Sequence, residues 1–130
     1  MNKYAQAAIQ TANLCSRGKQ ISPRPAWDQV TSHIFGKGTS SQEKSCPRDA
    51  FLGLCEEGFV KDIPAGKYCN SLKNKHYVLS AIALLKQDTT LANQLPQFLW
   101  ERVMKGEQKV HNGQMDVVIA LWKSNLLIPS

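Results

Sequence analysis

No apolar run in this 130-residue chain approaches the ~20 residues that a membrane-spanning helix requires. The longest such runs are residues 81–85 and 117–122. Residues 1–6 contain no continuous apolar segment, so nothing there reads as a secretory signal, and the expected compartment is the cytoplasm. The period-two alternation of strands is nearly missing, confined to a few residues after Phe59. No two of the four cysteines, Cys15, Cys46, Cys55 and Cys69, have the spacing of a structural zinc site. No metal or cofactor is therefore expected. Without an export signal the cysteines are expected to be reduced. Basic residues never cluster into a run, and there is no internal repeat, low-complexity tract or interdomain linker.

What is present is ordinary globular composition with a basic excess. Hydrophobic residues make up 42% and charged residues 20%, which excludes a disordered tail. The net charge is +6. Residues 1–75 hold 11 Lys/Arg against 6 Asp/Glu, and residues 76–130 hold 5 against 4. Such a balance favours an anionic ligand, an acidic protein surface or nucleic acid as partner. It equally describes a merely solvated surface.

Apolar spacing predicts an all-α chain: one domain over residues 1–130, a bundle of about six helices, with at most one short extended arm near 59–68. The first helix is expected over 3–17, with Tyr4, Ala8, Ala12 and Cys15 on one stripe and Gly18 as its stop. Ser22 and Pro23 open a second helix that buries Trp27, Val30 and Ile34 and ends at Gly36. A polar loop over 36–47 carries one short turn after Thr39. A third helix is expected over 47–57, closed by Gly58 and Phe59. The segment 73–86 is the most apolar and is expected at the centre of the fold, with Val78, Ala81, Ile82 and Leu85 inward. Helices over 96–106 and 112–124 complete the set. They bury Leu99, Trp100, Val103 and Met104, then Met115, Val118, Ile119 and Trp122.

Three stretches are distinctive: Gly38-Thr39-Ser40-Ser41-Gln42, residues 46–58 (CPRDAFLGLCEEG) and residues 111–120 (HNGQMDVVIA). Together they resemble a family of short bacterial proteins catalogued as a domain of unknown function. The resemblance implies a single domain of bacterial, cytoplasmic origin. It implies no activity and assigns no site residue.

Four segments could carry chemistry. In the Gly36–Ser41 loop, glycine-freed amides with Lys37, Thr39 and Ser40 could contact a phosphate, although Walker A spacing is absent. The same residues read as a helix stop followed by a hydroxyl cap. Cys46 lies at a helix start between Lys44 and Arg48, an environment that favours a thiolate nucleophile, provided that a histidine is close. His111, Asn112, Gln114 and Asp116 crowd the start of an apolar helix. His111 there could serve as a general base, or His111 and Gln114 could form a capping box. Finally, the second and third helices, or the third with the following arm, could make a helix-turn-helix or a winged variant whose wing, Phe59 to Tyr68, bears Lys61 and Lys67. Against that, the third helix and its end carry Asp49, Glu56 and Glu57 against the single Arg48, the wrong sign for facing phosphates.

The leading expectation is a non-enzymatic binding or adaptor domain. It would take an anionic or acidic partner at the basic 36–48 loop through Lys37, Thr39, Ser40, Lys44 and Arg48, with Asn112 and Gln114 as further ligand contacts. The alternatives are a nucleic-acid-binding domain and an enzyme using Cys46 or His111.

Overall fold

A computed structural model describes residues 2–16 and 21–128. Seven α-helices follow one another among them: α1 (Lys3–Ser16), α2 (Pro23–Phe35), the single turn α3 (Ser40–Glu43), α4 (Ser45–Glu56), α5 (Leu72–Gln87), α6 (Pro96–Met104) and α7 (Gln114–Lys123). A 3-10 helix, Thr89–Asn93, joins α5 to α6. The architecture is the helical bundle expected. None of the described helices is long and apolar enough to cross a membrane.

The helix boundaries follow local chemistry. The Thr39 hydroxyl accepts from the Gln42 amide at 3.2 Å and so starts α3. Ser71 does the same for Asn74 at the head of α5. Asp88 accepts from the Thr90 amide at 3.0 Å and opens the 3-10 helix. Ser22 occupies the N-cap of α2, but its side chain makes no capping bond; Pro23 carries that start. Helix α4 begins at Ser45, two residues before Pro47, because Lys44 both ends α3 and caps α4. It closes as expected: Gly58 donates to Cys55 and Phe59 donates to Leu54, each at 3.0 Å. The proposed stop at Gly18 lies outside the described residues.

The centre of the fold is α7, not α5. Seven of the ten residues of α7 are buried: Gln114, Met115, Val117, Val118, Ile119, Ala120 and Leu121. It packs on α1, α4, α5 and α6. On α5 the buried residues are Asn74, Val78, Ala81, Ile82 and Leu85, while Ala83 and Ser80 face solvent. Leu79, Leu84 and Tyr77 widen its apolar stripe without burying the whole circumference. Ten α7 residues, apolar on most sides, make a better central rod than sixteen with one wet face.

The extended arm is short and is paired rather than free. Val60 bridges antiparallel to Leu127, and Lys61 donates to Leu126 while Ile128 donates to Phe59, each at 2.8 Å. This arm closes the chain end onto the core and does not stand out as a wing.

Helices α4 and α5 approach closely at Gly53. A Cβ there would lie 3.0 Å from the Lys75 Cα, so the site accepts only glycine without a shift of the backbone. Glu56 clamps the same junction. One of its oxygens accepts from the Tyr68 and Cys69 amides at 2.9 and 3.0 Å, and the other meets Lys75 Nζ at 2.8 Å. Lys75 also reaches Glu57 at 2.7 Å. These bonds to the charged form, led by Lys75, pull the Glu56 carboxyl down from 4.5 to about 2.

Gly53→Ala is expected to lose roughly 1–3 kcal/mol of stability in urea unfolding, more than the ~1 kcal/mol that alanine returns in helix propensity. An unchanged or raised midpoint would contradict the close approach. For Glu56 the native value lies below the unfolded one. Its stabilisation is therefore complete above pH 4.5 and is lost as pH falls towards 2. Glu56→Gln should cost roughly 1.5–3 kcal/mol at neutral pH and remove that part of the acid transition.

Candidate functional site

Lys44 joins two of the segments singled out in the sequence. It sits between α3 and α4 with its ammonium 5.6 Å from the Tyr4 ring centroid. Its charge also acts on His111 and Asp116 at the start of α7. The start of α4 and the start of α7 therefore meet. Gly113, the N-cap of α7, has φ +89°, and a Cβ there would be 3.3 Å from the Tyr4 ring and 3.4 Å from Pro47.

The aromatic residues at this corner are stacked with cations. The Tyr4 and Phe35 rings lie 4.9 Å apart. Lys3 approaches the Phe35 ring at 5.9 Å, so two lysines flank an aromatic pair. The Tyr4 hydroxyl donates to the Ser41 carbonyl at 3.0 Å, tying α1 to the α3 turn. Beside that turn, Lys37 and Arg48 line an open groove of about 440 Å³ with Asp28, Ser32, Gln42 and Glu43. The groove is mixed in charge. Arg48 Nε also lies 3.3 Å from the carboxylate of the buried Asp49, which takes up part of its charge.

The polar groups of the 36–41 loop are largely occupied within the loop. The Thr39 hydroxyl donates to the Gly36 carbonyl at 2.8 Å while capping α3. The Gly38 amide donates to Gln42 Oε1 at 3.2 Å, and Gln42 Nε2 donates to the Thr31 hydroxyl at 3.1 Å. Ser40 is exposed at the first position of α3. The arrangement contains the hydroxyl cap that the sequence also allowed, and the Gly38 amide is engaged by the Gln42 side chain at the surface.

The polar start of α7 is likewise a cap, but its register differs from the expected box. The helix begins at Gln114, two residues later than expected, with Gly113 at the N-cap. His111 Nε2 accepts from the Met115 amide at 3.0 Å, and Gln114 Oε1 accepts from the Asn112 amide at 2.7 Å. Each side chain thus satisfies a backbone donor near the other, as in a capping box, through glycine instead of a hydroxyl residue. Gln114 Nε2 donates to the buried Asn74 at 3.1 Å, and Asn74 donates to Ser71 at 3.1 Å. Asn112 Nδ2 reaches only the Val110 carbonyl, at 3.5 Å. The link from Gln114 to Asn74 was not legible in the sequence. The sole signal was an asparagine at an inward position of α5.

Burial, with Lys44 second, lowers the His111 pKa from 6.5 to about 4. Burial raises that of Asp116, whose carboxylate oxygen lies 3.8 Å from His111 Nε2. At neutral pH His111 is therefore an uncharged acceptor whose lone pair the Met115 amide already holds. Its ring also packs 5.4 Å from Trp100. Cys46 is half-buried and makes no hydrogen bond among the described residues, to His111 or to any other histidine. The structure brings Lys44, His111 and Asp116 together. Lys37 and Arg48 line the neighbouring groove, and among the described residues no hydrogen bond joins Cys46 to a histidine.

The chain belongs to a family described as Family of unknown function (DUF6979), whose sequence profile matches residues 1–128. No curated protein and no solved structure matches it.

His111 is expected to remain neutral in an NMR titration until the pH nears 4. Because its native pKa lies below the unfolded value, it costs stability progressively as pH drops from 6.5 to 4. A midpoint near 6.5 would contradict the buried cap. His111→Ala should lose roughly 0.5–2 kcal/mol, as removal of a helix cap does.

Proposed function

We propose that this member of the family is a non-enzymatic binding or adaptor domain of the bacterial cytoplasm that engages an acidic protein surface through its basic corner. The observation that carries this reading is the set of lysines, Lys3 and Lys44, held over the Tyr4–Phe35 pair beside the groove of Lys37 and Arg48. Aromatic support restrains long side chains that would otherwise lose rotamer freedom on binding, which lowers the cost of ordering them. The corner is open, and its loop amide and hydroxyl are engaged internally. An isolated phosphate would meet cations there without a ring of backbone donors. An extended acidic surface needs only the cations, with Asp28 and Glu43 setting register by repulsion.

Titration of the 15N-labelled chain with poly-L-glutamate is expected to move the amides around Lys3, Lys37, Lys44 and Arg48, and to do so less at higher salt. The Lys37→Gln/Lys44→Gln double variant should weaken this binding about tenfold, in line with the loss of two charge contacts. Absence of perturbation at low salt would overturn the reading. Tighter binding to single-stranded DNA than to polyglutamate would transfer the same corner to nucleic acid.

A further inference from the structure

We propose that the hollow between the end of α5, the end of α7 and the paired arm binds a medium-chain fatty carboxylate. The chain would lie among Phe59, Ile82, Trp122, Leu127 and Ile128, with the head group at Lys86 and Asn125. These residues line a volume of about 400 Å³, and none of them belongs to the basic corner. The hollow is more enclosed than the groove beside Lys37 and Arg48. Sites that enclose small molecules run from about 300 to 1,000 Å³ and combine an apolar lining with a few polar groups that fix orientation. Five apolar side chains and two polar ones fit that pattern. A volume at the low end of the range suits one short chain rather than a large lipid.

The walls are held by backbone bonds before any ligand arrives. Ile128 donates to the Phe59 carbonyl and Lys61 to that of Leu126, each at 2.8 Å, and Val60 pairs with Leu127. Phe59, Trp122 and Leu127 are half-buried against the core, Ile82 is buried, and Ile128 is 45% exposed. Apolar surface is therefore wet in a site that needs little ordering to bind. Charge selects the head group. Among the lining residues described, Lys86 alone is charged. Its ammonium stands 5.6 Å from the Phe59 ring centroid, at the wall of the hollow. An ammonium has several donors, so Lys86 can meet a carboxylate beside any other contact it makes. Asn125, just past the end of α7, adds a side-chain amide. An amine head would meet like charge and no lining acid. An alcohol would gain only a weaker, uncharged partner for the ammonium.

The test titrates the full 15N-labelled chain with sodium octanoate, beside octanol and octylammonium chloride. Octanoate should shift the amides of Phe59, Leu127 and Ile128 and the Trp122 indole, and should bind about tenfold more tightly than either analogue. Lys86→Met keeps the apolar stem and removes the charge. It should weaken octanoate about tenfold and leave octanol unchanged. Ile128→Asp, at an exposed position, brings a carboxylate to the mouth and should also weaken octanoate. Lys37→Gln/Lys44→Gln should change nothing, which separates this site from the basic corner. Circular dichroism checks that each variant is folded. No shift at the lining residues, equal affinity for octanoate and octanol, or an equal loss in Lys37→Gln/Lys44→Gln would overturn the proposal. So would a dimer in sedimentation velocity that Ile128→Asp breaks, because a second copy of the chain would then cover the hollow.

Discussion

One carboxylate ties together parts of the chain that local propensity would leave apart. Glu56 ends α4 where the helix dipole disfavours a negative charge, and it holds its place because it receives two backbone amides and an ammonium. The amides belong to Tyr68 and Cys69, so the irregular segment 57–71 is pinned at its far end. The ammonium belongs to Lys75, so α5 is pinned against α4 at the point where Gly53 lets the backbones meet. Between them, the absence of a side chain at Gly53 and the charge at Glu56 set the packing of the largest helix pair. The orientation of α5 places Leu72 and Lys73 at the surface and Asn74 inside.

The interior contains polar groups, and the way they are paired explains the histidine. A helix packed on most of its circumference, such as α7, starts with amides that water cannot reach easily. His111 and Gln114 satisfy two donors at that start, and Asn74 and Ser71 extend the chain of bonds across to α5. A neutral imidazole is the only form that can accept from Met115. Burial and the Lys44 charge act in the same direction as the hydrogen bond. Perturbed titration here serves helix capping. Such shifts accompany structural networks as well as catalytic ones.

The basic excess is organised by neighbours rather than by sequence runs. Lys75 and Arg48 are paired with carboxylates, Lys3 and Lys44 rest on aromatic rings, and Lys109 lies against Tyr77. Lys75 stabilises the junction of α4 and α5, and Lys3 and Lys44 stand beside the groove lined by Lys37 and Arg48. A net charge of +6 is therefore divided between ion pairs within the fold and one corner backed by aromatic rings.

Helical class, the order of the elements, the turn after Thr39, the Gly58–Phe59 stop and the inward residues of α5 and α6 follow from the sequence alone. Each depends on spacing of three or four residues, or on a cap within one turn. The central helix could not be read that way, because 73–86 and 114–123 are both apolar and only packing shows which is enclosed on more sides. The partners of Glu56 and the bond from Gln114 to Asn74 span 12 to 40 residues of chain. The pairing of the arm with the C-terminal segment, Val60 opposite Leu127, spans still more. Contacts at such separations carry no local period, and tertiary structure alone decides them. The loop hydroxyls and the His111 cluster admitted both a structural and a chemical role in the sequence. In the structure Thr39, His111 and Gln114 each accept a hydrogen bond from a backbone amide at or beside a helix start.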